Sequence, residues 1–149
     1  MAVKGKIFTK EYDKNLLSLL QTADLIETDF QSIYVDDTFQ ELLELVKNGK
    51  RNYIGVVNEN GVLEGTISLD DLRPYMFHDR DMSVLTVREL MKVPPVVIDA
   101  RNDIFSIIRI FDKSGTWYLP VNDSDARFLG FISKSAILTK YRQLLKDYS

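Results

Sequence analysis

Apolar residues recur along the chain at two alternating spacings. Residues 10–26 place Leu16, Leu17, Leu20 and Ala23 on one face with Lys14, Ser18 and Gln21 opposite, predicting an amphipathic leader helix. A short apolar alternation at residues 32–35 then runs into Asp36, Asp37 and Thr38, residues suited to capping a helix. Phe39, Leu42, Leu43 and Val46 follow at helical spacing and stop at Asn48-Gly49, a left-handed termination signal. Residues 53–57 are β-formers, Asn58-Glu59-Asn60-Gly61 is a hairpin turn, and residues 62–67 predict the returning strand. Ser68 opens a helix reaching about Tyr75.

The order then repeats. Residues 78–83 read as a polar connector, and residues 86–91 as a helical turn ended by Val93-Pro94-Pro95. Residues 96–98 predict a strand, and Asp103 caps a helix with Ile104, Ile107, Ile108 and Phe111 on its apolar face, ending near Ser114-Gly115. Residues 117–121 and 127–132 form a second hairpin, and Ser133 starts a last helix running toward Leu145. The junction Gly65-Thr66-Ile67-Ser68 recurs as Gly130-Phe131-Ile132-Ser133, an offset of 65 residues (130 − 65). At that offset Ile98 falls on Ile33, Ile107 on Leu42, Phe111 on Val46 and Tyr118 on Tyr53. Apolar faces in register over a matching order of elements mark an internal duplication. The expected fold is α/β: two tandem β-α-β-β-α repeats packed as one pseudo-twofold globule behind the leader helix. We divide the chain into a leader at residues 1–26, a first repeat at 27–84 and a second at 85–149.

Composition narrows the chemistry. With 19 Lys and Arg against 22 Asp and Glu, the net charge is −3, and no bulk basic field exists to hold nucleic acid. The absence of cysteine removes thiol catalysis and thiolate metal sites, and a single histidine, His78, excludes a multi-histidine cage. His78 and the run Asp79-Arg80-Asp81 read as exposed connector. No apolar run approaches the roughly 18 residues that span a bilayer, so direct membrane insertion of this segment is not expected. Residues 1–10 lack the apolar core of a signal peptide. No nucleophile–base pairing or Gly-rich phosphate loop is present, so the chain does not read as an enzyme.

The strand, Tyr118-Leu119-Pro120-Val121, turn, Leu129-Gly130-Phe131-Ile132-Ser133 and terminal helix resemble a CBS (cystathionine β-synthase) domain, and residues 27–145 resemble a CBS pair, or Bateman module. Val87-Arg88-Glu89-Leu90-Met91 before Pro94-Pro95, and Gly130-Phe131-Ile132-Ser133-Lys134-Ser135 followed by Tyr141-Arg142, look similar to the cytoplasmic tail of bacterial ClC-type chloride channels and transporters. Two half-domains related by a pseudo-twofold predict a homodimer in which the last helix contributes, and that resemblance implies a cytoplasmic regulatory module with a membrane transport domain as partner. It requires no cofactor and implies ATP, ADP or AMP as a regulatory ligand in a cleft between the repeats, where Ser/Thr-x-x-Asp holds the ribose. The first repeat retains this motif in Ser68 and Asp71, whereas the second has Ser133 and Ala136. The resemblance places Val96, Val97 and Ile98 at the adenine slot, with Thr116 and Trp117 at its entrance. Three plainer readings stand beside this one: Ser68 and Asp71 form a capping box, Trp117 is interface packing, and Arg51 belongs to a solvated turn. A nucleotide-silent dimerisation module, or a CBS pair of another transporter or an enzyme, is the alternative function.

Overall fold

A computed structural model of the protein describes residues 16–49, 51–76 and 85–147. The first half contains a helical turn α1 (Thr22–Leu25), strand β1 (Ser32–Tyr34), helix α2 (Phe39–Asn48), strands β2 (Tyr53–Val57) and β3 (Leu63–Ser68), and helix α3 (Leu69–Met76). The second contains α4 (Val87–Leu90), β4 (Ile98–Asp99), α5 (Ile104–Ser114), β5 (Tyr118–Asn122), β6 (Phe128–Ser133) and α6 (Lys134–Asp147). His78 and residues 79–81 lie outside the described residues, as does the leader before Leu16.

Each half builds a three-stranded sheet in which a short strand pairs parallel to the first arm of an antiparallel hairpin. The registers superimpose at the sequence offset: Val56 faces Gly65, Val121 faces Gly130, and both hairpins shift register one residue later. Amphipathic helices cover the sheets. Leu42 and Leu72 are fully buried in the first core, and Ile107, Phe111 and Ile137 in the second. Burying one such side chain contributes about 1.5–3 kcal/mol. The caps follow local chemistry: Thr38 and Glu41 form a reciprocal capping box on α2, Thr86 and Glu89 do so on α4, and Asp103 caps α5.

Two expectations change. The leader is not one continuous helix to Ile26, because Leu16 and Leu17 end a first turn, Gln21 is extended, and Thr22–Leu25 forms a separate turn. The Thr22 hydroxyl donates to the Asn102 carbonyl at 2.8 Å, tying that turn to the second half. Gly49 is extended (φ −88°) and not left-handed, because its N–H closes onto the Val46 carbonyl, and a Cβ there would overlap the Gln31 side chain. Gly115, ending α5 at φ 70°, is the left-handed stop.

The turn α1 sits 65 residues before α4 (87 − 22), so these turns are themselves a repeated element. Each packs on the opposite half: Leu17 and Leu25 enter the second core, while Val87 enters the first. The halves are therefore interlocked by exchanged segments. They also meet through the hairpins, where Val62 bridges Arg127 and the Phe128 ring occupies the space a Cβ on Gly55 would need.

Candidate functional site

The β3–α3 junction places two polar side chains where the halves meet. Ser68 ends β3, and its hydroxyl accepts from the Asp71 backbone N–H at 3.2 Å, capping α3. The Asp71 carboxylate accepts from Lys92 Nζ at 3.1 Å. The Lys92 hydrogen bond foremost, then that of the Ser68 hydroxyl, holds the Asp71 carboxyl below its ordinary 3.8, against a small opposing effect of burial. The Lys92 side chain is 69% exposed and that of Asp71 36%. Ion pairs this open to water contribute about 0.2–1 kcal/mol.

Lys92 is positioned by its main chain. Its N–H donates to the Thr66 carbonyl at 2.9 Å, and Thr66 N–H donates back to the Lys92 carbonyl at 2.8 Å. Gly65 permits this approach, since a Cβ there would lie 3.0 Å from the Lys92 carbonyl oxygen. The following Val93, Pro94 and Pro95, held extended by the prolines, make one wall of a cleft of about 360 Å³. Thr116 and Trp117 form the facing rim, and Tyr53, Tyr118, Pro120 and Phe131 line the interior. Trp117 is 58% exposed, with Lys134 Nζ 5.0 Å from its ring centroid.

Of the residues expected from sequence, Ser68, Asp71, Thr116 and Trp117 come together on this cleft. Val96, Val97 and Ile98 do not line it. Ile98 pairs with Val121 inside the second sheet and is fully buried, Val96 packs on the same core, and Val97 lies near Asp99 and Asn122 elsewhere. The wall is formed by residues 92–95 instead, because the Thr66 bridge fixes the chain there before it enters β4. Lys92, Thr66 and Tyr53 were not among the expected site residues.

The pseudo-equivalent position is built differently. Glu27 bridges Phe131 as Lys92 bridges Thr66, at the same offset (92 − 27 and 131 − 66 are both 65). Glu27 N–H donates to the Phe131 carbonyl at 2.8 Å, and Phe131 N–H donates back at 3.0 Å. Phe30 stands in the place of Pro95, and its ring packs 4.5 Å from Phe131 and 6.2 Å from Tyr118, centroid to centroid. Arg51 covers that ring at 5.1 Å and makes a forked hydrogen-bonded pair with Asp29 at 2.8–3.2 Å. The guanidinium beside Asp29 holds that carboxyl below its ordinary value. Arg51 is thus committed to a protein carboxylate. Ser133 caps α6 by accepting from Ala136 N–H at 3.0 Å, but Ala136 offers no carboxylate. Phe30, covered by Arg51, thus stands at the position where the first site has Pro95 on its cleft wall.

Among the described residues no group of acidic and histidine side chains forms a metal site, and no helix is long and apolar enough to cross a membrane.

Residues 23–78 and 87–142 each match the model of the CBS domain. The chain is 30% identical over 103 residues to an uncharacterised protein of Methanocaldococcus jannaschii, covering 69% of this chain and 37% of that protein. It is 24% identical over 113 residues to an uncharacterised 33.4 kDa protein in a ribosomal RNA operon of Thermofilum pendens, covering 66% and 38%. The chain therefore spans less than two-fifths of the length of these curated relatives. Among solved structures it resembles the cytosolic domain of the Mg2+ channel MgtE in complex with ATP, with TM-score 0.65, 25% identity and coverage of 77% and 46%. The CBS domain of the bacterial CNNM/CorC family Mg2+ transporter in complex with ATP gives TM-score 0.74 at 16% identity, covering 88% and 93%. CbpB in complex with c-di-AMP gives 0.71 at 20%, covering 92% and 94%. The last two likenesses show a shared fold. With both repeats matched, and each carrying the same sheet and flanking helices, the chain belongs to the CBS domain family as a tandem pair.

Proposed function

We propose that this CBS pair is a regulatory module that binds one adenine nucleotide in the cleft between its halves. The observation that carries this reading is the asymmetry of the two positions. One presents an ionised Asp71 carboxylate beside an open cleft walled by Val93, Pro94 and Pro95, and the other has the Phe30 ring in the place of Pro95 and lacks the acid. An ionised carboxylate accepts hydrogen bonds from both hydroxyls of a ribose, and apolar and aromatic walls take a purine face. The ATP complexes of MgtE and the CNNM/CorC protein and the c-di-AMP complex of CbpB support the ligand class. Val96, Val97 and Ile98 do not line the cleft and are left out of the proposed site.

In our reading the module acts on the cytoplasmic side of a membrane transport partner and pairs as a homodimer, and the role is regulatory rather than catalytic. The Mg2+ transport proteins among the similar structures support a transport partner. A ClC-type chloride transporter is the narrower version of this proposal, resting on the two phrases around residues 87–95 and 130–142. Ligand binding across the halves would shift their arrangement, provided that two arrangements bind it with different affinity. A nucleotide-silent assembly module is favoured by one observation, that Asp71 already has Lys92 as a partner. Calorimetric titration of ATP, ADP and AMP separates the readings. Binding that Asp71→Ala weakens at least about tenfold, with Asp70→Ala near wild type, is expected. No heat at concentrations able to detect millimolar affinity rejects the nucleotide reading.

A further inference from the structure

The charge inventory of the cleft points to a narrower ligand class. Among the described residues lining it, Lys92 is the one cation and Asp71 the one anion, and they are paired with each other. Three basic groups outside the lining are each paired with an acid in this structure. Lys134, above Trp117 at the rim, lies 3.8 Å from Asp112, and both side chains are largely buried. Arg51 is held by Asp29 on the far side, and Arg73 pairs with Asp70 at 3.3 Å. Asp70 and Asp71 also place two acidic residues in the first turn of α3, opposing the attraction of that helix end for a polyanion.

A ribose bonded to Asp71 competes with Lys92 for Oδ1, the carboxylate oxygen on which the ammonium now sits. The displaced ammonium is a flexible point charge on a four-carbon stem, anchored by the main-chain bridge to Thr66. A four-carbon stem gives it the length to follow the first phosphorus attached to that ribose. Among the described residues lining the cleft, no other offers a cation for a second or third phosphate.

We propose that Lys92 is the specificity residue of the cleft: it exchanges the Asp71 carboxylate for one phosphate group, so that the site takes an adenine nucleoside monophosphate in preference to the nucleoside and gains little from further phosphates. This rests on the nucleotide reading above. Discrimination against the bare nucleoside comes from one charge-assisted contact, and additional phosphates stay in solvent or approach Asp70.

Titration of the wild-type chain with adenosine, AMP, ADP and ATP, repeated on Lys92→Met and Lys92→Arg, tests this. The expected result is AMP about tenfold or more tighter than adenosine, with ADP and ATP within about threefold of AMP. Lys92→Met brings AMP to the level of adenosine, leaves adenosine unchanged or tighter because Asp71 is unencumbered, and Lys92→Arg retains most of the preference. Lys92 is exposed, and its main-chain bridge is kept in both variants, so their melting temperatures should match wild type. Equal loss of adenosine and AMP in Lys92→Met, an unchanged AMP-to-adenosine ratio, or ATP more than about tenfold tighter than AMP overturns the proposal while leaving nucleotide binding intact. Absence of binding by all four ligands rejects the nucleotide reading, and this proposal with it.

Discussion

Alanine at Gly130 should cost far more stability than alanine at Gly65, although the two glycines are repeat equivalents. Neither needs a left-handed backbone; both are there for space. At Gly130 a Cβ would overlap the Glu27 carbonyl oxygen and crowd Thr28, and these are backbone atoms that cannot swing aside. Segment 27–28 must move, which breaks the two Glu27–Phe131 hydrogen bonds and draws on Leu25, only 4% exposed in the second core. Two main-chain bonds at about 1 kcal/mol each, plus part of a leucine's burial, give about 3 kcal/mol. At Gly65 the nearest obstacle is Met91 Sδ at 2.8 Å, the end of a flexible side chain, followed by the Lys92 carbonyl oxygen at 3.0 Å. The reduced freedom of the unfolded chain returns about 0.4–1 kcal/mol, so the net cost should stay near or below about 1 kcal/mol. Urea denaturation monitored by circular dichroism measures both, and a thermal melt should place Gly130→Ala about 6–12 °C below wild type. Equal costs for the two variants, or a Gly130→Ala loss under about 0.5 kcal/mol, would refute the reasoning that exchanged segments lock the halves together.

Two other outcomes follow from the site. Phe30→Ala removes a half-buried ring and should cost about 2 kcal/mol in denaturation, less than a fully buried phenylalanine, without creating a second nucleotide site, because Ala136 still supplies no carboxylate. The Asp71 carboxyl should titrate below 3.8 by NMR and move up toward 3.8 in Lys92→Met, since the Lys92 hydrogen bond is the largest cause of its depression. A depressed folded-state pKa means that the stabilising contribution is present above 3.8 and is lost as pH falls through the lower folded value. Unfolding followed between pH 5 and pH 2 should therefore show a smaller acid-induced loss in Lys92→Met.

Much of this architecture was legible because the duplication is written in side-chain periodicity. Ile33 and Ile98, Leu42 and Ile107, and Gly65 and Gly130 occupy matching places in both halves. Ser68, Asp71, Thr116 and Trp117 were reachable through the resemblance to a CBS pair, whose Ser/Thr-x-x-Asp motif falls on a strand-to-helix junction that cap signals also mark. What escaped the sequence has physical causes. Periodicity shows that Leu16, Leu17 and Leu20 want a core but not which core, so the exchange of α1 and α4 between halves was invisible. The resemblance put the slot at Val96, Val97 and Ile98, yet a parallel strand beside β5 turns Ile98 into the sheet's own core. The wall lies earlier, at a pair of prolines whose effect on the preceding helix was plain and whose contribution to the cleft depends on a long-range bridge to Thr66. The ring at Phe30 carried one overlooked signal: carried back 65 residues, Lys92 and Pro95 fall on Glu27 and Phe30, so an aromatic replaces a proline opposite a missing acid.

The asymmetry between the two positions predicts a stoichiometry, and counting bound AMP per chain by native mass spectrometry, with calorimetry in parallel, tests it most directly. The account predicts one AMP per chain in the wild type, with an affinity at least about tenfold weaker in Asp71→Ala. Two per chain would contradict the asymmetry at Phe30 and Ala136, and none in the wild type would contradict the nucleotide site itself.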